Sequence, residues 1–150
     1  MSIHEDFNEI LDFAHFWNWA PDWQVVRDIY QSKPESYSVL TPFAYTYLEE
    51  MIRSTTSEYG IPPFDKDGKP NKITVGMKLI NLAIEENKEN TDYTNLLEKT
   101  KNYFKYTNNN GYENGRNRVL HGHIHPRFWY KEDFEELIHH IATLSKYSKF

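Results

Sequence analysis

The sequence contains no cysteine and no long run of apolar residues. The first absence excludes disulfides and thiolate metal sites. The second excludes a membrane-spanning helix, which needs about 20 apolar residues in a row. The N-terminus lacks the basic start and apolar core of a secretory leader, so we expect a cytoplasmic protein without a membrane partner. The net charge of −5 argues against sequence-independent coating of nucleic acid, although a local basic site is compatible with it.

Aromatic residues are abundant instead, at 16% of the chain, and hydrophobic residues make up 39%. A chain of 150 residues with this composition is long enough for one domain with a substantial core. Apolar residues recur at three- and four-residue steps almost throughout, and we find no convincing alternating strand pattern and no repeat. The sequence therefore predicts an all-α, single-domain helical bundle of five to seven helices over residues 1–150.

Local signals predict where the helices begin and end. Ser2 and Glu5 form a capping box for a first helix whose apolar positions continue to Trp17. A capping hydroxyl at Thr41, followed by proline, predicts the start of a helix that Gly60 and the next residues stop. Further helices are expected over residues 22–30, 74–87, 112–121 and 131–147, and from residue 91 onward.

Arginine is scarce, yet three of the five arginines and three of the seven histidines lie between Arg116 and Arg127, which we call the Arg/His segment. No acidic residue interrupts residues 116–131. Arginine offers a permanent charge and a planar donor fork suited to phosphate, and histidine takes and gives a proton near neutral pH. The segment is therefore equipped to hold a phosphodiester. Two further histidines, His139 and His140, lie beside the apolar stripe of the last helix, where we expect partial solvation rather than catalysis.

The geometry of a helix over residues 112–121 favours a site shared between two copies of the chain. Asn117 and His121 are four residues apart and share a face, whereas Arg116 lies about 140° around the axis from His121. Two apolar residues between them supply the inward side, so the polar groups face a surface or an interface. A twofold axis would bring both sets to one groove, and we expect a homodimer.

The stretch Arg116-Asn117-x-x-x-His121 resembles the signature of the HEPN superfamily: an arginine, a polar residue that is often asparagine, and a histidine a few residues later. Members are small all-helical domains, commonly dimeric. Many are metal-independent endoribonucleases of toxin–antitoxin, CRISPR-linked or antiviral abortive-infection systems. The resemblance implies an HEPN-like fold, an RNA substrate, an antitoxin or regulatory protein as partner in such systems, and no cofactor. It also implies Arg116, Asn117 and His121 as the catalytic set.

These residue types suit RNA cleavage by transesterification, because the 2′-hydroxyl of RNA is an internal nucleophile and no metal is needed. His121 suits proton transfer, Arg116 suits phosphate positioning and transition-state charge, and Asn117 would orient either one by hydrogen bonding. We predict products with a 2′,3′-cyclic phosphate and a 5′-hydroxyl, as the resemblance also implies. Substrate contacts are expected from a second set of residues: Arg118, His123, Arg127 and Lys131.

Three alternatives stay open. Arg118 and His123 could form the catalytic pair in place of Arg116 and His121, since other Arg–His spacings in the segment also fit. The domain could instead be a catalytically inactive HEPN-like module that binds a protein or RNA partner. A metal trio of His121, His123 and His125 would require a strand, because alternate residues share a face there and spread apart on a helix.

Overall fold

The computed structural model describes residues 1–105 and 129–150. Within these ranges the chain forms six α-helices and no β-strand. The helices are α1 (Ile3–Phe13), α2 (Ala20–Ser32), α3 (Tyr37–Arg53), α4 (Met77–Glu86), α5 (Thr91–Phe104) and α6 (Lys131–Ser145). The prediction of an all-α bundle is confirmed. The helix predicted over residues 112–121 lies outside the described residues.

The start of α1 follows the predicted capping box. The Ser2 amide donates to Glu5 Oε2 at 2.6 Å, and Ser2 Oγ accepts from the Glu5 amide at 3.3 Å. Each bond satisfies a donor that the first helical turn would otherwise leave without a partner. The predicted extent was wrong, because α1 ends when Ala14 turns to an extended conformation. Trp17 therefore lies beyond the helix and is 75% exposed.

Helix α3 differs most from the prediction. It begins at Tyr37, so Pro42 lies inside it, and it ends at Arg53 rather than near Gly60. Thr41 does not cap the helix; its hydroxyl donates to the Tyr37 carbonyl at 2.7 Å. A proline inside a helix removes one backbone hydrogen bond and crowds the carbonyl four residues earlier. The helix nevertheless continues through Pro42, and eight of its residues are buried. A 3₁₀ turn over Pro34–Ser36 leads directly into the helix.

Two other helix starts also differ from the prediction. Helix α2 begins at Ala20, and α4 begins only at Met77 because Gly76 has φ +59° and ψ −134°. That conformation is outside the helical region and favours glycine. Val75, which lies within the range 74–87 predicted for this helix, precedes the observed helix and is 55% exposed.

Side chains from all six helices meet in the core, with α6 against α1, α3 and α5, and α4 against α3 and α5. Trp23 is completely buried, and its ring centroid lies 5.0 Å from that of Tyr47 and 6.2 Å from that of Phe7. The apolar stripe of the last helix is buried and consists of Phe134, Leu137, Ile138, Ile141 and Leu144. Among the described helices, none combines the length and apolarity that crossing a membrane requires.

Candidate functional site

Most of the predicted site lies outside the described residues. Arg116, Asn117, Arg118, His121, His123 and Arg127 all fall within residues 106–128, as does His125 of the alternative metal trio. Their roles and their register stay predictions. The chain enters this stretch from the end of α5 and leaves it at the start of α6. The flanking residues, including Lys131, can be described in detail.

Lys131 is the first residue of α6, and its side chain is 45% exposed. Its Nζ lies 3.5 Å from Oε1 of Glu135, one helical turn later. The same carboxylate oxygen accepts a hydrogen bond of 2.6 Å from the hydroxyl of Tyr30 on α2. Desolvation raises the pKa of the Tyr30 hydroxyl most, and the hydrogen bond to Glu135 and the charge of that carboxylate raise it further. Lys131 can thus reach a phosphate from solvent, but Glu135 competes for its charge.

On the expectation above that Lys131 contacts an RNA substrate, Glu135→Gln should strengthen RNA binding about two- to fivefold, and Lys131→Gln should weaken it. Glutamine still accepts the Tyr30 hydrogen bond but leaves the lysine charge unneutralised, and exposed ion pairs are weak enough to exchange partners. Fluorescence anisotropy with single-stranded RNA at two salt concentrations measures both effects. Removing one phosphate contact should reduce the salt slope by about 0.7.

The matched control is Glu98→Gln on α5, which removes the same charge from the pair that Glu98 forms with Lys101 at 2.9 Å. It should leave RNA affinity nearly unchanged. An equal gain in affinity from this control would mean that net charge alone is responsible, and Lys131 would lose its predicted role.

The backbone that leads into α6 is fixed to the start of α3. The hydroxyl of Tyr37 donates to the Trp129 carbonyl at 2.9 Å, and the Trp129 side chain is buried. Together with the contact between Tyr30 and Glu135, this bond holds the first turn of α6 against α2 and α3. The chain therefore leaves the Arg/His segment at a fixed point of the bundle.

Helices α5 and α6 are joined by a partly buried polar contact that the sequence did not predict. Nε2 of His140 lies 2.7 Å from the hydroxyl of Thr100, and the imidazole centroid lies 5.0 Å from the Tyr103 ring. Desolvation is the main cause that lowers the pKa of His140 to about 4, and electrostatic interactions with the nearby His139 and Lys99 lower it as well. His140 is therefore neutral at pH 7 and acts as a packing residue between the two helices that flank the segment.

The adjacent histidine lies in a different environment. Nδ1 of His139 lies 3.0 Å from Oδ1 of Asp6, whose side chain is 4% exposed, whereas the His139 side chain is 52% exposed. The contact joins α6 to α1 and gives the buried carboxylate a partner, as a buried charge requires. His140 is partly buried and His139 is exposed, so neither histidine is fully buried and the expectation of partial solvation holds. The two side chains point to different sides of α6, towards α5 and α1 respectively.

Comparisons of this chain with protein-family models, with curated proteins and with solved structures give no match. Among the residues that the structure describes, no group of three or more histidine, aspartate or glutamate side chains is arranged to hold a metal ion.

Proposed function

We propose that this protein is a homodimeric, metal-independent endoribonuclease of the HEPN type. The observation that carries the proposal is the stretch Arg116-Asn117-x-x-x-His121, within a run free of acidic residues from position 116 to position 131. The all-α architecture supports it, since HEPN domains are helical. Fold class alone is weak support, because one fold serves many functions.

In the proposed reaction, one His121 imidazole removes the proton from a ribose 2′-hydroxyl. The resulting oxygen attacks the adjacent phosphorus, and the bond from phosphorus to the 5′-oxygen breaks. A second imidazole, from the symmetry-related copy, gives a proton to that leaving oxygen. Arg116 stabilises the charge that develops on the phosphoryl oxygens. Asn117 orients its neighbours, and Arg118, His123, Arg127 and Lys131 hold the flanking phosphates.

The described flanks of the segment favour such a site physically. A composite active site needs its residues held on rigid elements. Helices α5 and α6 contact each other through Thr100 and His140, and the start of α6 is fixed by Tyr37. Lys131 extends the basic run onto this held helix and keeps about half of its side chain in solvent.

The direct test is product analysis with the wild-type protein and a defined RNA oligonucleotide. Cleavage should give a 2′,3′-cyclic phosphate and a 5′-hydroxyl, continue in EDTA, and stop when the scissile ribose lacks its 2′-hydroxyl. A 3′-hydroxyl with a 5′-phosphate, or loss of activity in EDTA, would refute the mechanism. Light scattering should give the mass of a dimer; an active monomer would refute the shared site.

The proposed biological role is growth arrest or antiviral defence, with an antitoxin or regulatory protein to restrain the activity. This role rests wholly on the HEPN resemblance. It predicts that a host expressing the wild-type protein stops growing and that RNA breakdown accompanies the arrest.

A second candidate function is a non-enzymatic helical module that binds a partner. The observation that favours it is the turn between α1 and α2, where Phe16 and Trp17 are 78% and 75% exposed. Adjacent exposed aromatic side chains are typical of interaction surfaces. This candidate is preferred if the purified dimer binds RNA or protein but cleaves no RNA.

A further inference from the structure

The long connection between α3 and α4 carries an exposed hairpin. Residues 54–76 form the connection, and we call residues 61–72 within it the lysine hairpin. Phe64 pairs with Pro70 in an isolated antiparallel bridge, and Gly68 at the turn has φ +74°, which favours glycine. Long connections inside a compact domain are usually either functional or disordered. This one has a defined conformation, so a function is the better explanation for its length.

Hydrogen bonds within the lysine hairpin maintain that conformation. Oδ1 of Asp65 accepts from the amides of Asp67 and Lys69 at 2.8 and 2.9 Å. The side-chain amide of Asn71 donates to the Pro62 carbonyl at 2.7 Å. A partner that binds here therefore has little backbone ordering to impose, which favours affinity.

The base of the hairpin lies beside the end of α5. The Thr74 carbonyl accepts from Nη2 of Arg53 at 2.9 Å, and a methyl group at Gly76 would lie 3.9 Å from Cδ1 of Phe104. Phe104 is the last residue of α5, after which the chain enters the Arg/His segment. Asn71 and Gly76 are five positions apart, so their Cα atoms are separated by at most about 18 Å. The hairpin is thus close to the point where the segment begins.

The hairpin presents positive charge and one aromatic ring to solvent. Phe64 is 57% exposed. Two aspartates are its only acidic residues, so the hairpin is net positive within a chain of net charge −5. Three of its side chains are exposed lysines, and none of these forms an ion pair with a residue that the structure describes: Lys66, Lys69 and Lys72.

We propose that the lysine hairpin binds single-stranded RNA, with Phe64 stacked on an unpaired base and the lysines at the flanking phosphates. An aromatic face accepts any base and cations follow the backbone, which is the usual combination for single strands. A duplex has no free base face to offer the ring. The inference rests on the proposed function, because it names the strandedness of its RNA substrate and a second contact surface near the segment.

The test is fluorescence anisotropy of the full chain with a labelled single-stranded 2′-O-methyl RNA, which allows binding to be measured without cleavage. Phe64→Ala should weaken binding at least about fivefold, and Phe64→Tyr should bind within about twofold of the wild type, because only the ring is needed for stacking. The matched ligand control is the same RNA annealed to its complement, whose affinity should not depend on Phe64. The exposed position of Phe64 makes both variants compatible with the fold.

The charge contribution is tested with Lys66→Gln, which should weaken binding and reduce the salt slope by about 0.7. Lys88→Gln removes the same charge outside the hairpin, at a side chain 69% exposed, and should leave both quantities unchanged. An equal loss in the two lysine variants, or no saturation of the wild type below roughly 100 μM, would overturn the proposal. Unchanged affinity in both Phe64→Ala and Lys66→Gln would overturn it as well and favour a protein partner for this surface.

Failure of this inference can be distinguished from failure of the proposed function. A wild type that binds RNA through Phe64 but cleaves none would refute the ribonuclease and leave the lysine hairpin as an RNA-binding surface. A wild type that cleaves RNA, with full affinity retained in Phe64→Ala, would refute the role of the hairpin and leave the ribonuclease in place.

Discussion

The His121→Ala variant is expected to lose RNA cleavage by about 10²- to 10⁴-fold while the dimer and its helical content are unchanged. The proposed reaction needs an imidazole at both proton transfers, and alanine can supply neither. Arg116→Ala should lose about 10²- to 10³-fold, because the charge on the phosphoryl oxygens then lacks its fixed donor. Single-turnover rates on a defined RNA oligonucleotide at neutral pH measure both losses, and circular dichroism checks the fold.

His123→Ala is the matched control, since it removes the same side chain two positions later. It should slow cleavage less than about tenfold, as expected for a substrate contact rather than a proton-transfer group. The reverse pattern, with His123→Ala inactive and His121→Ala active, would assign catalysis to Arg118 and His123. Full activity in both variants would remove the ribonuclease proposal for this segment.

The parts of the fold that follow from local rules could be predicted from the sequence. The capping box at Ser2 and Glu5 depends on residues three apart, and the buried stripe of α6 follows the helical repeat. The start of α3 could not be predicted, because proline normally suits the first turn of a helix, whereas Pro42 lies inside α3. The first helix was predicted to reach Trp17, but α1 ends at Phe13. Its end could not be predicted, because the spacing of apolar residues does not show where the chain turns.

The same distinction between local and tertiary features applies to the candidate sites. A motif such as Arg116-Asn117-x-x-x-His121 is visible because its members are close in sequence. A pocket lined by Asp22, Glu49 and Phe150 has no such signal, since these residues come together only through the packing of α2, α3 and the residues that follow α6. The contact of His140 with Thr100 is likewise a tertiary property. Nothing in the local sequence distinguishes His140 from His139, which is more exposed and contacts Asp6 instead.

Acid is expected to destabilise the fold through His140, by about 3 kcal/mol once the pH has fallen from 7 to below 4. In the folded protein the pKa of His140 is lowered from 6.5 to about 4, so the ring stays neutral where the unfolded chain binds a proton. Between these two values the unfolded state holds more protons, and stability therefore falls as the pH falls. At about 1.4 kcal/mol per pKa unit, the difference gives the stated cost.

The His140→Gln variant isolates this effect, because glutamine can still bond to the Thr100 hydroxyl but does not titrate. Urea unfolding at pH 7 and pH 5 should show the wild type losing about 2 kcal/mol more than this variant. His4→Gln, at an exposed position on α1, should lose as much as the wild type. Equal acid sensitivity in His140→Gln and the wild type would contradict the assignment.

Since His140 joins α5 to α6, protonating it weakens the contact between the two helices that flank the Arg/His segment. If cleavage activity falls at pH 5 in the wild type and less in His140→Gln, that loss reflects the packing of these helices rather than titration of the catalytic histidine.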